Sequence, residues 1–212
     1  MSLLGRLAEK SWQAPGHAGD GEPADYRPAA ATVGLYVYFG VATVIFALIA
    51  AAYLMRMGLP GLMEHGHVHD WRPMPEPPLL WINSGVLVAS SLAWEAARRS
   101  AWNGERARMR LMTVAGSALG LVFLLGQLLL WRQFQMGGYY LAANPANAFF
   151  YLLTAVHGLH LAGGLAAAAR TLSPMRGEGG EARLFRNVRL CAIYWHFLLL
   201  VWVLLAALLI ST

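Results

Sequence analysis

Residues Ala31–Met55 read ATVGLYVYFGVATVIFALIAAAYLM, twenty-five positions without an Asp, Glu, Lys or Arg. A bilayer core about 30 Å thick is crossed by roughly 20 apolar residues in a helix. Hydrocarbon offers no water to backbone N–H and C=O groups, so such a run must satisfy them internally as a helix. Four further segments have this character: Leu79–Ala97, Leu111–Trp131, Asn147–Ala169 and Leu190–Ser211. Only the second carries a charge, Glu95, and Asn83, Ser84, Ser90 and Ser91 dilute it further. The whole chain agrees: 212 residues, 58% hydrophobic and 13% charged, with mean hydropathy +0.47. Soluble chains run near 45–50% apolar and about 25% charged. One cysteine, Cys191, excludes a disulfide scaffold and reads as a small buried hydrophobe. The expected fold is all-α: a five-transmembrane-helix up-and-down bundle over residues 31–212, preceded by a polar arm over residues 1–30.

The basic residues set the orientation. Arg6, Lys10 and Arg27 lie before the first span. Arg98, Arg99, Arg106, Arg108 and Arg110 follow the second, and Arg170, Arg176, Arg183, Arg186 and Arg189 follow the fourth. The other two connections hold only Arg56, Arg72 and Arg132. The positive-inside rule then places the N-terminus in the cytoplasm and the C-terminus outside. The net charge of +5 is that of a basic face on anionic lipid, and needs no nucleic acid.

Ionisable groups at membrane depth are functional candidates by default. His157 and His160 share a face of the fourth span, and His196 lies in the fifth, within Tyr194-Trp195-His196-Phe197. Three imidazoles can hold copper, iron, zinc or a haem. Ligating histidines ordinarily have a carboxylate behind the second nitrogen, and no span sets one ready for these three. They are expected to be packed, hydrogen-bonded interhelical histidines. His65, His67 and His69 alternate in the first connection and could chelate a divalent ion, but nothing encloses them. Glu95, Arg98 and Arg99 read as an interfacial charge cluster, with a lipid headgroup or partner contact as the alternative. Trp12, Trp71, Trp81, Trp94, Trp102 and Trp131 fall near span ends and read as an interfacial belt. Gln127 needs a partner within the membrane, and Gly116 and Gly120 suit close helix contact. No catalytic motif is present.

Order and spelling add a resemblance. Leu79-Leu80-Trp81-Ile82-Asn83-Ser84 opens the second span, and Phe123-Leu124-Leu125-Gly126-Gln127 with Trp131 marks the third. The fourth carries Phe149-Phe150-Tyr151-Leu152-Leu153-Thr154 and His157-Gly158-Leu159-His160; the fifth carries Tyr194-Trp195-His196-Phe197 and Trp202. From about residue 32 onward the chain resembles subunit III of the haem–copper oxidases, the cytochrome c oxidase subunit 3 family. The resemblance implies a non-catalytic accessory subunit of a respiratory terminal oxidase in the bacterial cytoplasmic (inner) membrane. It would pack beside catalytic subunit I and the other oxidase subunits, hold phospholipids, and support sustained turnover and proton uptake. Haem and copper belong to the partner subunits, and no catalytic, cofactor or metal residue is implied here. Gln127, His157, His160, Tyr194, Trp195, His196 and Trp202 fall at motif positions and are implied to pack and hydrogen-bond between helices. The chain lacks the two extra N-terminal helices of longer members. It has Ala42 where the family often has a glutamate and Leu199 where it usually has an aspartate. The alternatives are the accessory protein of a nitric oxide reductase, or a stand-alone haem or metal membrane protein using the three histidines.

Overall fold

The computed structural model describes residues 30–57, 77–172 and 181–210. Residues 1–29 of the expected arm, Trp12, Trp71 and the loop histidines His65, His67 and His69 lie outside them. Five helices follow one another: α1 Ala30–Met57, α2 Pro78–Trp102, α3 Arg106–Met136, α4 Pro145–Leu172 and α5 Glu181–Ile210. No strand occurs among the described residues. All five are long and apolar enough to cross a membrane. At 1.5 Å per residue even the 25 residues of α2 exceed a hydrocarbon core of about 30 Å. Most helices outrun the apolar stretches that announce them. The first turns of α3, for example, are Arg106–Arg110, good helix formers that continue the helix into the interface. Pro78 and Pro145 stand at the first position of their helices, where the missing N–H has no intrahelical partner to lose.

A three-residue turn joins α2 to α3, with Gly104 at φ 74°, a conformation that costs glycine little. That short turn forces the two helices side by side, and their seam is the most extensive in the protein. Successive contacts α2–α3, α3–α4, α4–α5 and α5–α2 close a ring of four helices. The buried stripe of α3 runs Met109, Thr113, Gly116, Gly120, Phe123, Gln127, Leu130, Phe134. Steps alternating between three and four are the heptad seam of a left-handed helix pair.

Helix α1 lies outside this ring, on α4 and α5. Only Ala42, Phe46 and Tyr53 of it are buried. Its hold is aromatic: Phe39 stacks on Phe197 with centroids 4.3 Å apart, and Tyr53 meets Phe149 edge-on at 5.5 Å. Val37, Val41, Val44 and Leu48 face outward.

Lipid tails are as apolar as leucine, so helices gain by close packing rather than by leaving water. Small residues on α3 and α4 supply that approach. A Cβ on Gly116 would lie 2.7 Å from the Trp94 indole, and one on Gly164 would lie 2.5 Å from the Tyr194 ring. Gly120 is nearly as close to Trp195, at 3.2 Å. Trp94 therefore corrects the sequence reading. It is fully buried and packs on Trp195 with centroids 4.8 Å apart, because Gly116 leaves room for an indole. Trp81 and Trp102 do face outward.

Candidate functional site

The polar residues that dilute α2 are the ones that tie it to its neighbours. Asn83 donates through Nδ2 to Gln127 Oε1 at 3.1 Å and to Phe123 O at 3.2 Å. Ser84 Oγ accepts from Trp202 Nε1–H at 2.9 Å. Ser90 Oγ accepts from Trp195 Nε1–H at 2.8 Å and donates to Gly116 O at 2.6 Å, so one hydroxyl joins three helices. Asn83, Ser90 and Ser91 are buried. A polar group left unpaired in hydrocarbon is costly, and each of these carries a partner from another helix.

The sequence set Gln127 in need of a partner, and Asn83 supplies one for its oxygen; its Nε2 has no hydrogen bond. On α4, Thr154 Oγ1 accepts from Trp131 Nε1–H at 3.0 Å and donates to Phe150 O at 2.7 Å. Tyr194 donates to His160 O at 2.7 Å, leaving Tyr38 to donate to the Tyr194 oxygen at 3.3 Å.

The three span histidines do not converge. His157 is fully buried in a ring of Trp202, Phe123 and Phe46, with centroids 5.1, 5.8 and 6.4 Å away. Neither of its nitrogens has a hydrogen-bond partner, so the expected hydrogen-bonded placement is corrected to an aromatic one. His160 donates from Nδ1 to Val156 O at 2.7 Å, within its own helix. His196 points from α5 to α2. Its Nε2 lies 3.3 Å from Glu95 Oε2 and its Nδ1 lies 2.7 Å from Ser91 Oγ. A carboxylate only accepts, so Nε2–H donates to Glu95, and Nδ1 pairs with the Ser91 hydroxyl. The reading that no carboxylate serves these histidines is thus wrong for His196: its acid comes from α2, across a helix boundary that linear order conceals. No group of three potential metal ligands occurs among the described residues.

Serine, histidine and glutamate in line invite comparison with a nucleophile and its base. Ser91 is only 2% exposed, however, so no substrate reaches its hydroxyl. The line braces α2 against α5. Glu95 also accepts two bonds from Arg98, at 2.7 and 2.8 Å, and one from Arg99 Nε at 2.9 Å. The cluster read from sequence is therefore assembled, with an interhelical arm to His196.

An apolar groove of about 310 Å³ opens between α1, α4 and α5. Leu35 and Tyr38 form one wall, Gly163, Gly164 and Ala167 the floor, and Leu190, Cys191 and Tyr194 the other wall. The floor is low because two adjacent glycines carry no side chain.

These features define a class: a multi-pass helical membrane protein whose polar side chains bind helix to helix. The family model for cytochrome c oxidase subunit III matches residues 30–210, and the chain belongs to that family. It is 30% identical to cytochrome c oxidase subunit 3 of Synechocystis sp. over 172 residues, covering 79% of this chain and 72% of the relative. Identity to cytochrome c oxidase subunit 3 of Thermostichus vulcanus is 29% over 192 residues, 89% of this chain and 88% of the relative. It is 25% identical to cytochrome bo(3) ubiquinol oxidase subunit 3 of Pseudomonas aeruginosa, over 80% of this chain and 79% of the relative. The chain is an accessory subunit III of a terminal oxidase and associates with other oxidase subunits.

Proposed function

We propose that the chain docks beside catalytic subunit I in the bacterial cytoplasmic membrane, N-terminus inside and C-terminus outside. There it holds phospholipid and sustains its neighbour's turnover and proton uptake. It binds no haem, copper or other metal of its own, and the redox centres belong to its partners. The groove between α1, α4 and α5 is the observation that carries this reading. It is apolar and wide enough for an acyl chain. Arg170 follows Ala167 by three residues and Arg186 precedes Leu190 by four, so both continue the groove's faces toward one membrane interface. A phosphate at that level would meet guanidinium. The excess of arginine at the same end supports the orientation. Ala42 and Leu199 carry no proton, so support for proton uptake is indirect, through the neighbour's surface.

The test is deletion of this subunit from the host, with purification of the remaining oxidase. The expected result is a complex that starts at normal rate and inactivates after fewer turnovers than the intact one. Equal endurance of the two complexes would refute the proposal.

A further inference from the structure

The outward faces of the bundle are not alike. On α1 the exposed side chains include Val41, Val44 and Leu48, and on α3 Leu121, Leu125 and Leu128. Such faces suit lipid tails. The surface where α2 and α5 run side by side is different. His196 has 45% of its side chain exposed, Arg98 43%, and Glu95 between them 17%. His196 lies six residues beyond Leu190, where the apolar stretch of α5 begins, which is about 9 Å along the helix. Among the described residues of the five apolar stretches it is the one exposed histidine, and it meets their one carboxylate. Ionisable groups at membrane depth ordinarily face other protein, because hydrocarbon gives them no partner.

The neighbours on this face are small or spaced as a seam. Gly85 and Ala89 lie four apart at exposed positions of α2, and Leu92 and Glu95 follow at three-residue steps. On α5, Ile193, His196, Leu200 and Val203 are all at least partly exposed. Their steps of three and four are those by which one helix receives another. A Cβ on Gly85 would meet nothing within 4 Å, whereas those on Gly116, Gly120, Gly126 and Gly164 would lie against a side chain of a neighbouring helix. These four make room inside the bundle. Gly85 makes room outside it. Gly40 on α1 is equally open, but its own face continues with Val37 and Val44.

Charge adds a preference. A guanidinium has five N–H donors; Glu95 takes two from Arg98 and one from Arg99. Two guanidinium groups against one carboxylate leave a positive excess at the arginine-rich end of the face.

We propose that the α2–α5 face receives a transmembrane helix of catalytic subunit I. Small residues of that helix meet Gly85 and Ala89, and its apolar side chains cover Leu92 and Leu200. An acceptor side chain on it meets Arg98 and closes the Glu95–His196 pair off from lipid. Membrane helices associate in this way, through close approach at small residues and a few hydrogen bonds. The inference rests on the docking reading above and adds the surface used and the chemistry of the partner helix.

The test uses the assembled oxidase with an affinity tag on subunit I. Gly85→Leu should be retrieved roughly tenfold less than the unmodified chain, since a leucine there holds the two backbones apart. Gly40→Leu should be retrieved in full. Purified alone, Gly85→Leu should keep the dodecyl sulfate midpoint of the unmodified chain. Should that midpoint fall, a second arm decides: Leu92→benzoylphenylalanine, irradiated in the membrane, should cross-link to subunit I, and Val44→benzoylphenylalanine should not.

Full retrieval of Gly85→Leu at an unchanged midpoint, or equal loss in Gly40→Leu, overturns the face and leaves docking intact. So does a Leu92 cross-link to a second copy of this chain, to another subunit or to lipid alone, or an equal cross-link from Val44. Failure of subunit I to retrieve even the unmodified chain removes the docking reading, and this inference with it.

Discussion

Substituting Gly126 by alanine asks whether close approach and Asn83 together hold the α2–α3 seam. A methyl group there overlaps Asn83 Oδ1 and comes within 2.8 Å of its Cγ, so the amide must swing away. It then loses its bonds to Gln127 Oε1 and Phe123 O, at 3.1 and 3.2 Å. Interhelical hydrogen bonds in membranes average roughly 0.6 kcal/mol, which makes about 1.2 kcal/mol for the pair. The stranded Gln127 oxygen joins a side-chain nitrogen that already lacks a partner and adds about 1 kcal/mol. Alanine's helix preference over glycine offsets about 1 kcal/mol.

The net expectation is destabilisation of about 1 kcal/mol, read as an earlier midpoint when the full chain in mild detergent is titrated with dodecyl sulfate. The sign of a second measurement is more telling than the size of the first. In an Asn83→Ala background the obstacle is gone, and Gly126→Ala should stabilise by up to about 1 kcal/mol through helix preference alone. Equal destabilisation in both backgrounds, or a stabilised Gly126→Ala single variant, would show that Asn83 is not what the methyl meets.

The two other glycine environments separate in the same assay. Gly116→Leu drives a side chain into the Trp94 indole, 2.7 Å from the Cβ position, and should cost about 1–3 kcal/mol or more. Gly158→Ala meets only Leu124 at 3.5 Å and should stay within about 0.5 kcal/mol of the unmodified chain. Ser90→Ala removes the acceptor of Trp195 and a bond to Gly116 O; a loss of about 1–3 kcal/mol follows from the orphaned indole N–H, and an unshifted midpoint would contradict it. Purified alone, the chain should give no haem absorption and no stoichiometric copper or iron by elemental analysis; a metal lost on His157→Ala, His160→Ala or His196→Ala would reverse that reading.

The spans were legible because hydrocarbon imposes a crude demand, length without charge, that composition meets openly. Helix ends were less so, since polar turns at the interface remain helical without any apolar signal. The interhelical ties were missed for a different reason. Asn83, Ser84, Ser90, Ser91 and Glu95 look like weakening of a span when counted, yet they recur at helical spacing. Asn83 and Ser90 are seven apart and meet the period-three-and-four stripe from Met109 to Phe134; Ser84 and Ser91 are also seven apart and meet α5. Spacing, rather than number, was the signal for a polar seam. Trp94 was misplaced because tryptophan near a span end is usually interfacial. Nothing along α2 itself reveals that Gly116 on another helix opens a space for it.

Glu95 illustrates why position in a network outweighs residue type. Family resemblance implies an acid at position 199, where this chain has Leu199; yet His196, three residues earlier on α5, still meets a carboxylate, supplied by α2. A proton relay needs an acceptor site free to receive a proton and a next group to pass it to. A carboxylate has about four acceptor positions, and those of Glu95 are taken by Arg98 twice, Arg99 once and His196 once. On the far side the line runs through His196 to Ser91, which is buried. The Ser91 hydroxyl has no further hydrogen-bond partner among the described residues. The pairs Glu95 makes along its own helix are exposed on the arginine side and worth about 0–1 kcal/mol each. What remains distinctive is the crossing from α2 to α5. There the line Glu95–His196–Ser91 closes on α2 at both ends and so acts as a brace between two helices.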